Sequence, residues 1–267
     1  MDDIKTISIL GCGWYGLPLA KLLVSSGYIV KGSVTSTEKL EVLTQYGIQP
    51  YLVNFTQEEE SYNAVFFDCD VLWIAIPPKT RSGEGDSYVN KIDRIADAAG
   101  KFGIKKVIYI SSTGVYGDHN REVDENTSPE PISQSGKILW QAEEVLRKAT
   151  AFKSTIIRFG GLIGPGRDPG RFFAGKKNLP NGKAPVNLIH LDDCLGISNA
   201  ILRKNFFGYT LNACSPQHPE KALFYIRAAE SSKLEKPEFI DQLSEWKIVN
   251  SIYIENALGY RFTVPLI

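Results

Sequence analysis

Gly11, Gly13 and Gly16 recur at the spacing Gly-x-Gly-x-x-Gly in the segment Gly11-Cys12-Gly13-Trp14-Tyr15-Gly16. The chemistry of that pattern is the holding of a pyrophosphate. The first glycine permits a tight turn, the second lets backbone approach phosphate oxygens with no Cβ in the way, and the third lets the next helix close against the strands. Three glycines alone can punctuate any turn. Here they follow the apolar run Thr6–Leu10 and precede Leu17–Ser25, whose apolar residues recur at helical spacing, and Tyr28–Val34 is β-rich again. Strand, glycine turn and helix in that order aim helix N–H groups and the positive end of the helix dipole at an anion. Gly11, Gly13, Trp14, Tyr15 and Gly16 are therefore read as binding a dinucleotide, NAD(P).

The end of the second strand selects between the two forms of such a cofactor. An acidic residue there accepts the ribose 2′-hydroxyl of NAD and repels the 2′-phosphate of NADP. Between Lys21 and Glu38 the sequence has no Asp or Glu; it has Ser33-Val34-Thr35-Ser36 with Lys39 close behind, and Ser36 also suits a helix N-cap. Thr35, Ser36 and Lys39 are thus expected to favour NADP over NAD.

A loop of this kind needs a sheet to hold it. Further strands are expected at Tyr51–Phe55, Val71–Ile76, Lys106–Ser111 and Ser154–Phe159, with helices at Ser87–Phe102 and Lys137–Ala149. Such alternation predicts an α/β fold, a doubly wound parallel Rossmann sheet. After Gly160 the texture changes to Gly, Pro and basic residues, then to shorter helical segments at Leu191–Arg203 and Glu220–Ser231 and a final Tyr-rich, strand-like stretch. Residues 1–160 are read as the NAD(P)-binding domain and 161–267 as a small C-terminal substrate lobe with segments returning to the main domain. From Gly160 to Leu188 the lobe carries Arg167, Arg171, Lys176, Lys177 and Lys183 against Asp168 alone. Arg167 and Arg171 are the candidates for holding an anionic substrate, since a guanidinium suits bidentate contact with phosphate.

Composition narrows the partners. Thirty basic and thirty acidic residues cancel in 267, which argues against nucleic acid or an anionic membrane and for a small molecule. The four cysteines, Cys12, Cys69, Cys194 and Cys214, lack any metal-ligand or disulfide spacing, so no metal is expected, and reduced thiols fit a cytoplasmic setting. No signal segment and no run of eighteen apolar residues stands out.

Four segments together resemble the extended short-chain dehydrogenase/reductase superfamily of the NAD-dependent epimerase/dehydratase type. They are the glycine loop, Ser111-Ser112-Thr113-Gly114-Val115-Tyr116-Gly117, the turn Ile163-Gly164-Pro165-Gly166-Arg167, and Ile189-His190-Leu191-Asp192-Asp193. The resemblance implies that Ser112 positions substrate, that Ser111 lies at the cofactor, and that Lys137 matches the lysine of the family's catalytic Tyr-x-x-x-Lys and holds the nicotinamide ribose. The tyrosine position is occupied by Ser133, so the chain is similar to atypical members of the superfamily that lack the active-site Tyr. A serine hydroxyl is a far weaker acid than a phenol, and acid–base help is typically worth ~10²–10⁴-fold in rate. The Asp-Glu pair of the dehydratases is also replaced, by Thr113-Gly114. Tyr116 and His190 are weighed as substitutes, and structural roles are favoured for both.

Two functions are carried forward. One is an oxidoreductase or nucleotide-sugar epimerase-like protein that acts on a small, anionic substrate, a nucleotide-sugar among the candidates, by a non-standard mechanism in which Ser112 and Lys137 take part. The other is a catalytically inactive NADP-binding sensor or regulatory protein.

Overall fold

Thr6–Leu10 buries every residue after its first and forms β1. The computed structural model describes residues 4–56, 59–78 and 85–266. The further strands in it are β2 (Ile29–Val34), β3 (Gln49–Phe55), β4 (Glu60–Tyr62), β5 (Val71–Ile74), β6 (Lys106–Ser112), β7 (Arg121–Val123), β8 (Lys153–Phe159), β9 (Gly161–Ile163), β10 (Leu188–His190), β11 (Thr210–Ala213) and β12 (Lys247–Val249). The α-helices are α1 (Gly16–Ser25), α2 (Leu40–Thr44), α3 (Gly85–Lys101), α4 (Gln134–Lys148), α5 (Gly170–Phe173), α6 (Leu191–Arg203) and α7 (Lys221–Ser231).

Eight strands form one sheet in the order β11-β8-β6-β5-β1-β2-β3-β4. β1 pairs in parallel with β2 on one side and β5 on the other, β2 with β3 and β5 with β6 are also parallel, and β4 closes the edge antiparallel to β3. The chain runs outward from β1 to β3 and then restarts beside β1 at β5. That reversal defines a doubly wound Rossmann sheet and leaves a crevice at the carboxyl ends of β1 and β5. Central strands of such a sheet are covered on both faces, and Val71-Leu72-Trp73-Ile74 of β5 is buried throughout. α1 contributes Leu19, Ala20 and Leu23 to the cover, each leucine worth about 1.5–3 kcal/mol of apolar burial. It ends at Gly27, whose φ of 92° only glycine adopts without strain and whose N–H reaches the Val24 carbonyl.

Lys31 of β2 lies under this layer and is 5% exposed. Its ammonium donates to the carbonyls of Val65 and Asp68 at the end of the 3-10 turn Ala64–Phe67, which satisfies both the charge and the last carbonyls of that turn.

The chain divides into two compact units. The first comprises Met1–Ser111, Ser133–Ile157 and Ile201–Thr210, and the second Ser112–Ile132, Arg158–Ala200 and Leu211–Ile267, so each draws on both sides of residue 160. In the second unit β9 pairs with β10 and β7 with β12. Ile163, Val186, Leu188, Phe224, Tyr225 and Leu266 form its apolar cluster. The buried Asp193 fastens the chain end, accepting from the Tyr260 hydroxyl (2.7 Å) and from the Thr263 N–H and hydroxyl (2.8 and 2.9 Å). This fastening corrects one expectation. The final Tyr-rich stretch is no strand; it turns through Tyr253, whose carbonyl accepts the N–H groups of Ala257 and Leu258, and through Gly259 at φ 63°. Among the described residues no helix is long and apolar enough to cross a membrane.

Candidate functional site

The glycine loop leaves β1 through Gly11, whose φ is 102° and whose missing Cβ would sit 2.9 Å from Ile76 Cγ2 and 3.1 Å from the Ala75 carbonyl oxygen. Ser33 of β2 holds the turn from the neighbouring strand: its hydroxyl accepts the Gly11 N–H (2.9 Å) and its carbonyl the Cys12 N–H (2.9 Å). At Gly16, where α1 starts, a Cβ would fall 2.1 Å from the Gly11 oxygen. Gly11 and Gly16 are therefore demanded by the protein's own packing. Gly13 is not. It is exposed, and a Cβ there would meet nothing within 4 Å. α1 begins with no side-chain cap bond and no acidic residue in its first turn, so its positive end keeps the polarity that suits a phosphate.

Beside the loop lies a cleft of about 210 Å³ at the carboxyl ends of β1, β2, β3 and β5. Gly11 and Gly13, Thr35 and Lys39, Asn54 and Phe55, and Ala75 to Pro77 line it, with Lys91 of α3. No carboxylate is among the described lining residues. Ser36 precedes the 3-10 turn Thr37–Lys39 without capping it by a side-chain bond. The Glu38 carboxyl is held below its usual range by its own backbone N–H first, then by the Ser36 hydroxyl, with Thr37 and Lys39 also contributing. The sequence pattern thus brings Gly11, Gly13, Thr35 and Lys39 to one cleft, whereas Trp14, Tyr15, Gly16 and Ser36 do not line it. Asn54 and Lys91 carry no signal of a site role in the sequence, Lys91 lying within the helix expected at Ser87–Phe102, and Cys12 and Ser33 lie in segments whose neighbours were the site candidates. Cys12 is a packing thiol whose pKa burial pushes up to about 12.

The residues expected to carry chemistry sit differently. Ser133 is the N-cap of α4, its hydroxyl accepting the Gly136 N–H at 3.1 Å, and Lys137 one turn on is exposed. Serine at this position does what a tyrosine cannot, since its short side chain reaches the orphan N–H groups of the first turn. Ser111 is buried and donates to the fully buried Glu143 carboxylate at 2.6 Å; Arg147 pairs with the other oxygen of Glu143 at 3.1 Å. Ser112 accepts the Gly114 N–H at 3.1 Å and caps the 3-10 turn Thr113–Val115.

Tyr116 is buried in the second unit. Its hydroxyl donates to the Asp124 carbonyl (2.8 Å), lies 3.1 Å from Asn212 Oδ1 and accepts from Arg158 Nη1 (2.6 Å). Burial raises its pKa above the usual phenol value, against the lowering by Arg158. His190 Nδ1 accepts the Asp192 N–H at 3.2 Å.

Two lysines of the basic stretch after Gly160 meet acids from about sixty residues later, while Arg171 faces the stretch's own Asp168. Lys177 pairs with Glu235 and Glu238, Lys183 pairs with Asp241 at 3.0 Å, and Arg171, mostly exposed, lies 3.7 Å from Asp168. Arg167 is exposed. The local excess of positive charge is therefore largely compensated within the unit, which no window of the sequence could reveal.

A family model described as NAD(P)H-binding matches residues 11–188. Protein YeeZ of Escherichia coli (strain K12) is 37% identical over 269 residues, covering 98% of this chain and 97% of that protein. An N-acetyl-alpha-D-glucosaminyl-diphospho-ditrans,octacis-undecaprenol 4-epimerase of Escherichia coli O157:H7 is 38% identical over 103 residues, 37% of this chain and 31% of that one. Among solved structures, UDP-glucuronic acid 4-epimerase from Bacillus cereus in complex with NAD superposes with a TM-score of 0.78 at 19% identity, over 98% of this chain and 95% of that one.

Proposed function

The chain belongs to the NAD(P)H-binding family, and from that premise we propose that it is an NADP-preferring oxidoreductase or nucleotide-sugar epimerase-like protein working on a small, anionic substrate without Tyr-x-x-x-Lys. One observation carries the reading. The cleft at the switch point of the sheet has a glycine, Gly13, whose added Cβ would meet nothing within 4 Å among the described residues, and a cationic lining with Lys39 and Lys91 and no carboxylate among the described lining residues. In this reading the loop from Gly11 to Gly16 holds the pyrophosphate, Thr35 and Lys39 meet the 2′-phosphate with Ser36 closing the turn beneath them, and Lys137 donates to the nicotinamide ribose. Ser112 orients the substrate, Ser111 is fixed by Glu143 at the end of β6, and Arg167 and Arg171 meet the substrate's far end. A bound nicotinamide supplies hydride acceptance and return.

Titration of the purified protein with NADPH and NADH at moderate salt tests the cofactor assignment. The expected result is NADPH at least about tenfold tighter, a difference of ~1.4 kcal/mol, with Lys39→Ala removing most of the gap because it deletes a charge-assisted contact to the phosphate. NADH binding at least as tightly as NADPH overturns it.

Ser133 favours a second reading, a cofactor sensor in which catalysis is lost. Its hydroxyl accepts the Gly136 N–H and lies 3.3 Å from the Ser135 hydroxyl, neither of which is a base that could activate it. A panel of sugar nucleotides and carbonyl compounds separates the two: hydride exchange with any of them supports the enzyme, whereas inertness together with a nucleotide-dependent change in oligomeric state supports the sensor.

A further inference from the structure

The second unit contains a cavity of about 540 Å³, within the size range of small-molecule sites. Its walls are mainly apolar, with Ile163, Phe224, Val264 and Leu266 among them; its polar lining side chains are His190, Arg227, Ser231 and Asp168, of which His190 and Arg227 offer nitrogen donors. We propose that this cavity is a separate binding site for a carboxylate with an apolar body, its head held by Arg227 and His190 and its hydrocarbon part against the apolar wall.

The state of His190 follows from its surroundings. Its Nδ1 accepts the backbone N–H of Asp192 at 3.2 Å, so in the neutral ring the proton resides on Nε2. Nε2 lies beside Gly164, where a Cβ would stand 3.2 Å from it. Gly164 lines the cavity at φ 137°. The absence of a side chain at that position leaves the Nε2–H open to the cavity, so the glycine serves both the turn and the donor.

Arg227 supplies the guanidinium of this lining. Lys177, Lys183 and Arg171 each face a carboxylate, whereas the exposed Arg227 of α7 has no acidic partner among the described residues. The one carboxylate in the lining, Asp168, is already committed. Its Oδ1 accepts the Gly170 N–H (2.8 Å) and the Ser232 hydroxyl (2.9 Å), and its Oδ2 faces Arg171 at 3.7 Å. The Asp192 carboxylate lies 3.4 Å from His190 on the Nδ1 side, away from Nε2. What remains is two nitrogen donors, the Arg227 guanidinium and the His190 Nε2–H, with the Ser231 hydroxyl and apolar surface beside them. Two donors suit a monoanion, and the wall suits alkyl or aryl carbon. The site stands independently of the nucleotide cleft, because every residue used here belongs to the second unit.

The chain has three histidines, His119, His190 and His218, so ¹⁵N-histidine NMR resolves the test. Octanoate is the probe, with octanol and inorganic phosphate as controls. The expected result is an Nε2–H tautomer for His190, a saturable shift of its Nε2 resonance with octanoate below about 10 mM, and no comparable shift for His119. Arg227→Gln, at an exposed position, is expected to fold normally and to weaken the binding about tenfold or more, with NADPH affinity unchanged. Gly164→Ala is expected to abolish the His190 response; should that variant misfold because of its positive φ, Arg227→Gln alone decides. Four results overturn the proposal: no saturable His190 shift, equal binding to Arg227→Gln, octanol binding as tightly as octanoate, or phosphate displacing octanoate at equal concentration.

Discussion

The glycine loop and the first turn of α4 both belong to the first unit, and both lie at helix N-termini, yet their chemistry is opposite. At the loop the helix end has no side-chain cap, no acidic residue in its first turn, and a glycine, Gly13, open to solvent. At α4 the helix end is closed by its own residue, Ser133, on the Gly136 N–H. One terminus carries no side-chain cap and the other is satisfied internally. In the reading proposed above, holding a dinucleotide and moving a proton are separable, since Ser133 stands where the resemblance expects a phenol while the glycine loop keeps its uncapped helix end. The largest way to break this contrast is Gly16→Ala. Its Cβ would lie 2.1 Å from the Gly11 oxygen, a backbone atom that cannot step aside, so a stability loss of ~2–3 kcal/mol and a loss of nucleotide binding beyond a hundredfold are expected. Thermal melts with and without NADPH measure both, and a wild-type response to NADPH would break the loop's assignment.

Gly13→Ala sharpens the same contrast because its two effects have opposite signs. Gly13 is absent from the residues at positive φ, and a methyl there meets no protein atom within 4 Å. Replacing glycine at a compatible position stabilises by ~0.4–1 kcal/mol through the unfolded chain. Nucleotide affinity should nevertheless fall about tenfold or more, as the methyl occupies the path of the phosphates. A variant that is more stable and still binds at full affinity would show that Gly13 serves no ligand.

Much of this was legible in the sequence, for physical reasons that are local. β1, α1 and β2 follow from apolar runs and helical spacing, and the glycine loop from its place between them. Lys39 was legible because the residue class at the end of the second strand decides which charge is welcome. Lys91 was not, because its role at the cleft depends on α3 packing beside strands thirty or more residues away in sequence. The neutralisation of Lys177 and Lys183 by Glu238 and Asp241 was hidden for the same reason. The Tyr-rich end read as strand because periodicity registers side-chain type, while Asp193, some seventy residues earlier, holds Tyr260 and Thr263 in a turn. Ser133 was seen as a missing tyrosine, yet the N-cap signature Ser133-Gln134-Ser135 was in the same residues.

That cap gives the next test in size. Ser133→Ala leaves the Gly136 N–H without its partner and should cost about 1 kcal/mol, or ~2–4 °C in melting temperature for a domain of this size. NADPH affinity should be unchanged within error. A loss of affinity larger than the loss of stability would place Ser133 in the ligand site and narrow the difference between the two helix ends.

The smallest expected effect belongs to Lys137. It is exposed, so Lys137→Ala should alter stability by less than about 0.5 kcal/mol. If it donates to the nicotinamide ribose, NADPH binding should weaken roughly three- to tenfold, the worth of one charged hydrogen bond discounted for solvent, and should do so equally for NADH, since the 2′-phosphate lies at the other end of the cofactor. Lys39→Ala discriminates between the two nucleotides where Lys137→Ala does not, and comparing the four affinities checks both roles at once. A Lys137→Ala protein that binds both nucleotides as tightly as the parent would assign the lysine to the helix surface, leaving α4 with neither half of the catalytic pair and the sensor reading with the stronger claim.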